Sequence, residues 1–177
     1  MNDRGEGVQT LHEGRFLRLV KDGRWEYVSR TNSSGAGFIL AVTAQRELVL
    51  VEQYRVPLQG RSIELPAGMI GDEAGLEQES IESSALRELE EEAGFRGTQA
   101  RVLISGPVAP GLTSERLHLV QVEGLERVSA GGGVAGEDIT VHLVPLETVD
   151  AWLALKHREG FHVETRIYAA LYLLSKQ

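Results

Sequence analysis

The stretch that most limits what this chain can fold into is residues 80–95, Ser-Ile-Glu-Ser-Ser-Ala-Leu-Arg-Glu-Leu-Glu-Glu-Glu-Ala-Gly-Phe. Ile81, Ala85, Leu89 and Ala93 recur at every fourth position with Leu86 beside them, which makes one apolar stripe on a helix and none on a strand. Ser80 suits an N-cap, and Gly94 stands where a left-handed C-cap is wanted. On the opposite side Glu88, Glu91 and Glu92 fall at i, i+3 and i+4 and so share one turn. Like charges at that spacing cost a few tenths of a kcal/mol per pair, and the helix dipole disfavours anions near its C-terminal end. A helix that accepts both penalties predicts a cation. Glu90 points away from the other three and reads as surface.

The rest of the chain bounds the class. A length of 177 residues suits one compact domain with a small appended element, and the 42% hydrophobic and 25% charged fractions are ordinary for a globular protein. With no cysteine, disulfides, thiolate catalysis and Cys-ligated zinc are excluded. No run approaches the roughly 20 apolar residues that span a bilayer, and the polar start lacks a signal peptide's apolar region, so the expectation is a cytoplasmic protein. A formal net charge of −8 argues against nucleic acid and anionic membrane as partners, since both reward clustered Lys and Arg. A phosphate-bearing ligand would need local Arg or metal in that field.

Taken in order, the first dozen residues are polar and Gly-rich and read as frayed. Two alternating runs at 16–20 and 25–28 flank Asp22-Gly23 and predict a hairpin, which cannot stand alone in water and must pack on the main body or on a second copy of the chain. Strands are expected at 37–42, 47–52, 61–65, 100–105, 117–123 and 139–144, with helices at 146–156 and 164–174. The segment 129–137, with Gly131, Gly132 and Gly133 in a row, reads as too floppy for core. Strands and helices interleave irregularly, which implies a mixed sheet between helices. The domain division is 1–34 for the hairpin element and 35–177 for the body.

Arg87-Glu88-Leu89-Glu90-Glu91-Glu92-Ala93-Gly94-Phe95 resembles the core of the Nudix hydrolase signature at every fixed position, and Glu79 falls at the family's upstream Glu. The resemblance implies a Nudix α/β/α sandwich with a mixed central sheet, here preceded by an N-terminal antiparallel hairpin. One departure lies upstream: the family's Gly six positions before that Glu is Glu73 here, and the glycine of Leu65-Pro66-Ala67-Gly68 stands eleven positions before Glu79, which is a five-residue insertion in the connector. Hard cations such as Mg²⁺ take oxygen ligands, commonly a few carboxylates plus substrate phosphates. Glu88 and Glu92 can grip one side of such an ion and Glu91 a second. The resemblance adds the carbonyl of Ala67 as a ligand and gives Arg87 the task of orienting a Glu of the helix.

Val51-Glu52-Gln53-Tyr54-Arg55, Glu64-Leu65-Pro66-Ala67-Gly68 and Pro110, fifteen residues past Phe95, are similar to the ADP-ribose and ADP-sugar pyrophosphatase branch. That likeness implies that Arg55 contacts the diphosphate, that Trp25 stacks on adenine with Arg30 close by, and that the N-terminal hairpin is exchanged within a homodimer. The alternative for Trp25 is a hairpin-core residue. The branch also carries a mobile acidic loop whose Glu ligates metal or activates water, which falls on Glu137 with Asp138 as runner-up. An additional Glu found two residues earlier in some relatives is Ala135 here. The expected catalytic residues are therefore Glu137, Glu91 and Arg87, the metal ligands Ala67, Glu88, Glu91, Glu92 and Glu137, and the substrate contacts Arg55, Trp25 and Arg30. His118 and His142, on strands, read as structural. The implied activity is Mg²⁺-dependent hydrolysis, with Mn²⁺ as the alternative, of ADP-ribose or a related nucleoside diphosphate sugar to a nucleoside monophosphate and a sugar phosphate. The competing readings are another diphosphate (GDP-mannose, a diadenosine polyphosphate, NADH) and a nucleotide-sensing module that does not cleave.

Overall fold

Three antiparallel strands precede the body: β1 (Gln9–Glu13), β2 (Leu17–Asp22) and β3 (Trp25–Arg30), in that order across the sheet. The computed structural model describes residues 7–33, 35–71, 75–76, 78–134 and 136–177, so Glu73, Ala135 and part of the 71–78 connector lie outside the described residues. Asp22 pairs with Trp25 around Gly23, whose φ of +58° suits the tight turn that the Asp-Gly pair predicts. β1 falls where fraying was expected. Its side chains are all exposed, so it carries no hydropathy signal, and it is held by main-chain pairing with β2. β3 joins the body: Val28 N–H donates to the Leu112 carbonyl at 2.9 Å and Ser114 N–H to the Val28 carbonyl at 3.1 Å.

The body holds β4 (Ala36–Ala41), β5 (Glu47–Arg55), β6 (Gly60–Glu64), β7 (Ala67–Met69), α1 (Ile81–Ala93), β8 (Phe95–Arg96), β9 (Gln99–Pro107), β10 (Arg116–Glu123), β11 (Glu126–Arg127), β12 (Ile139–Pro145), α2 (Val149–Arg158), β13 (His162–Val163) and α3 (Arg166–Leu174). Two four-stranded sheets run β7-β4-β10-β9 and β12-β5-β6-β13, each made mixed by one parallel pair, β4 with β10 and β6 with β13. β4 and β5 are buried on both faces, which is why they read as unbroken apolar runs. Ile39, Ala41 and Val49 face the stripe of Ala85, Leu89 and Ala93 on α1, while Phe38, Leu40, Leu48 and Leu50 face Leu153 of α2 with Ile167 and Ala170 of α3. The strands thus lie between α1 and the α2/α3 pair, the sandwich that the sequence implies. Leu89 is fully buried, and its truncation to Ala would cost roughly 2–5 kcal/mol.

The boundaries of α1 coincide with the sequence signals. Ser80 Oγ accepts the Ser83 N–H at 3.1 Å, and Gly94 takes φ +73° as the C-cap. β7 has no sequence expectation behind it. It pairs antiparallel with β4, Gly37 opposite Gly68 and Phe38 opposite Ala67, and so lays the Ala67–Met69 backbone beneath α1.

Candidate active site

The acidic face of α1 meets β7. Glu92, only 6% exposed, accepts the Ala67 N–H at 2.9 Å through Oε2. Glu88 fills the space a side chain at Gly68 would need: a Cβ built there would stand 2.0 Å from the Glu88 Cδ. Burial pushes the Glu92 carboxyl up to about 8; the Ala67 N–H and Arg55 pull it down, and Glu88 and Glu137 add to the rise. Arg87 lies among the other carboxylates, with Glu88 at 3.0 Å, Glu91 at 3.1 Å and Glu79 at 3.2 Å. Glu90 is drawn off to Arg96 at 2.8 Å, apart from the cluster.

The Gly-rich segment stays out of the core, as its composition predicts, but it is tied to the end of α1. Val128 and Ser129 donate to the Gly94 carbonyl, Gly132 donates to the Glu92 carbonyl at 2.8 Å and Gly133 to the Glu91 carbonyl at 3.0 Å, so the segment satisfies carbonyls that the helix end leaves open. Glycine is required for the approach: a Cβ on Gly131 would lie 2.6 Å from the Ala93 carbonyl carbon, and Gly131 has φ +73°. Glu137 folds back on this loop, its Oε2 accepting the Val134 N–H at 2.9 Å. Asp138 is turned elsewhere, to Arg61 at 2.8 Å. Arg61 also pairs with Glu52, and Glu52 with His142 Nε2 at 2.9 Å; burial raises the Glu52 carboxyl, but the bonds from His142 and Arg61 outweigh it and hold it below its ordinary value. His118 bonds the Ser105 Oγ at 2.7 Å.

A cleft of about 570 Å³ opens along β7, bordered by Ala67, Gly68, Arg55, Glu64, Arg30 and Arg166. The helix glutamates do not line it; they meet β7 from the α1 side. Arg55 is held by Glu64 through two bonds, Nε to Oε1 at 2.9 Å and Nη2 to Oε2 at 2.6 Å. Arg30 pairs with Glu115 at 2.6 Å. Arg55 and Arg30 thus share the cleft, but Trp25 does not border it. Trp25 is 56% exposed, which excludes the hairpin-core alternative, and borders a separate hollow of about 330 Å³ with Tyr27 and Pro110. Glu64, Glu115, Glu164 and Arg166 had no role in the sequence reading, although Glu64 stands in Glu64-Leu65-Pro66-Ala67-Gly68 and Glu115 ends the Pro-Gly stretch that starts at Pro110, both similar to the pyrophosphatase branch.

The NUDIX domain profile matches residues 32–162 of this chain. The chain belongs to the Nudix family. It is 37% identical over 172 residues to the methanol dehydrogenase activator of Bacillus methanolicus, covering 94% of this chain and 89% of that one. It is 33% identical over 143 residues to the ADP-ribose pyrophosphatase of Bacillus subtilis, covering 81% of this chain and 74% of that one. A solved structure described as an ADP compounds hydrolase superposes with a TM-score of 0.75 over 96% of this chain and 90% of that one, at 22% identity, which bears on the fold.

Nudix proteins work with divalent metal ions, and the donor set here fits one. Glu88, Glu91, Glu92 and the Ala67 carbonyl are hard oxygen donors, and the buried Glu92 carboxyl needs a nearby positive charge to ionise at neutral pH. As placed, no three carboxylate or imidazole groups among the described residues are gathered to hold an ion; Arg87 and the Ala67 N–H engage the oxygens instead.

Proposed function

We propose that the protein hydrolyses the diphosphate bond of ADP-ribose or a related nucleoside diphosphate sugar, releasing a nucleoside monophosphate and a sugar phosphate. The observation that carries this reading is the seating of Glu88 and Glu92 against Gly68 and Ala67, beside a cleft bordered by Arg55 and Arg30. Glu88, Glu91, Glu92, Glu137 and the Ala67 carbonyl would hold Mg²⁺, with Mn²⁺ as the alternative. A bound divalent ion neutralises diphosphate charge and lowers the pKa of water. Arg87 holds the helix carboxylates apart and aimed. Glu137, released from the Val134 N–H, takes the proton of the attacking water, and Glu91 stands next to it in that task. Arg55 and Arg30 orient the diphosphate as planar, two-pronged donors.

The N-terminal element, residues 1–34, serves a homodimer in this reading. Leu11, Leu17, Leu19 and Trp25 are exposed on its three strands and Phe16 on the bend between the first two, an apolar surface suited to a second copy that would bring Trp25 to the partner's cleft. A cytoplasmic location belongs to the same proposal and is supported by a sequence without cysteine, which suits a reducing compartment. The test is a panel of ADP-ribose, other ADP-sugars, GDP-mannose, diadenosine polyphosphates and NADH with Mg²⁺ or Mn²⁺ in ¹⁸O-labelled water. Preferred cleavage of an ADP-sugar, with label in one product, is expected. Tight binding with no cleavage of any member would overturn the reading in favour of a nucleotide sensor.

A further inference from the structure

Three arginines border the cleft, and each sits against a glutamate, yet the pairs differ in how much of the arginine they consume. Arg55 commits Nε and Nη2 to the two oxygens of Glu64. Arg166 gives Glu164 only its Nε, at 2.5 Å to Oε1, and its guanidinium carbon lies 3.8 Å from the centre of the Phe38 ring. Among the described residues neither terminal nitrogen of Arg166 has a protein acceptor. Stacking and the single bond fix the guanidinium without using its fork.

Glu164 is incomplete in the complementary sense. Its Oε1 takes both the Nε and the backbone N–H of Arg166, and its own N–H is tied to the Ile63 carbonyl at 3.0 Å, so the residue is fixed at the end of β6. Its Oε2 is closed to bulk solvent and has no donor, the only carboxylate oxygen in that state among the described residues. A buried acceptor left unpaired is costly, and solvent cannot relieve it. Glu164 borders the cleft, so a turn of its carboxylate brings Oε2 to a donor on a molecule seated there.

We propose that Glu164 and Arg166 are specificity-determining residues that read the sugar phosphate half of the substrate, Arg166 donating to a phosphoryl oxygen and Glu164 Oε2 accepting a neighbouring sugar hydroxyl. The inference rests on the reading of the cleft as a nucleoside diphosphate sugar site. A free donor fork beside an unused acceptor is the complement of a phosphate with a hydroxyl close by, whereas a bare diphosphate leaves Glu164 unsatisfied. Glu164 follows β13 and Arg166 opens α3, outside every stretch that resembles the family signature.

The experiment compares the two halves of the substrate as ligands. Ribose 5-phosphate and AMP are titrated, by calorimetry with Mg²⁺ present, into wild-type protein, Arg166→Gln, Arg166→Lys and Glu164→Gln, with Arg46→Gln, a distant exposed arginine, as the control for net charge. Arg166→Gln and Glu164→Gln should weaken ribose 5-phosphate about tenfold or more while AMP moves less than about twofold, and Arg166→Lys should fall between, having charge without a fork. Equal weakening of both ligands, or of neither, overturns the inference, as does wild-type protein that ignores ribose 5-phosphate. Melting temperatures of the variants separate misfolding from lost contacts. Hydrolysis by the wild-type protein is read separately, so failure of the activity and failure of this pair give different results.

Discussion

The backbone N–H of Gly132 donates to the carbonyl of Glu92 at 2.8 Å, which hangs the loop that carries Glu137 from the last turn of the helix that carries the glutamate cluster. The two acidic contributions proposed for the site, distant in sequence, therefore share one backbone joint. Gly133 repeats the joint on the carbonyl of Glu91. Capping of this kind satisfies carbonyls that α1 would otherwise leave open and fixes where the loop starts.

Replacing Gly131 tests the joint. A Cβ there would lie 2.6 Å from backbone atoms of Ala93 and Glu92, and φ of +73° strains any other residue by about 1–2 kcal/mol. Gly131→Ala should detach the loop, lowering kcat at least tenfold, about 1.4 kcal/mol in barrier, while the core stays folded. Gly111→Ala, at a position with open space around it, should change neither kcat nor loop protection. Hydrogen exchange over residues 128–138 reads the detachment directly, and unchanged protection there in Gly131→Ala would count against it.

Glu92 predicts a pH dependence of stability. In the unfolded chain its carboxyl ionises near 4.5, whereas burial in the fold holds the proton to about 8. Its contribution is complete below the unfolded value and is lost as pH rises through the folded one, because unfolding over that interval releases a proton. Metal-free protein should therefore weaken from pH 5 to pH 9, by an amount on the order of a few kcal/mol. Glu92→Gln should flatten this slope and be the more stable form at pH 9 in urea denaturation with chelator. Adding Mg²⁺ should stabilise the wild-type protein and leave the variant nearly unmoved.

Gly68 is the counterpart of Glu88. An alanine methyl would sit 2.0–2.1 Å from Glu88 atoms, and Glu88 is also held by Arg87 at 3.0 Å, so the carboxylate has little room to yield. Gly68→Ala should displace Glu88 and raise the Mg²⁺ concentration needed for half-maximal thermal stabilisation by at least tenfold. Gly106→Ala, with nothing near its Cβ, serves as the neutral comparison.

How much of this was legible depended on whether a residue's role left a local pattern. α1 announced itself through period and caps, and β4 and β5 through apolar runs, because burial on both faces demands them. β1 left no trace, since main-chain pairing of an exposed strand asks nothing of its side chains. The anchoring of the Gly-rich loop was hidden for a related reason: absence of side chains signals freedom in isolation, and only the neighbouring helix end shows that it allows close approach. Glu164 and Arg166 stand two apart in sequence but gain meaning from Phe38 and Ile63, over a hundred residues away. Arg55 was legible as a cleft residue, while the pairing that consumes two of its five N–H donors was not.

That pairing sets the last prediction. Glu64 is 5% exposed and both its oxygens are bonded by Arg55. Arg55→Ala removes both donors and leaves a carboxylate in a buried position, which should cost about 2 kcal/mol of stability beyond any loss of substrate contact. Adding Glu64→Gln removes the stranded charge and should recover roughly half of that loss. Substrate KM should stay high in both, because the side chain that borders the cleft is absent from both. Urea denaturation midpoints and KM measured on the two variants separate the structural share of Arg55 from its binding share. Equal stability of the single and double variants would show that Glu64 sheds its charge when Arg55 is gone, and a KM restored by Glu64→Gln would remove Arg55 from the substrate contacts.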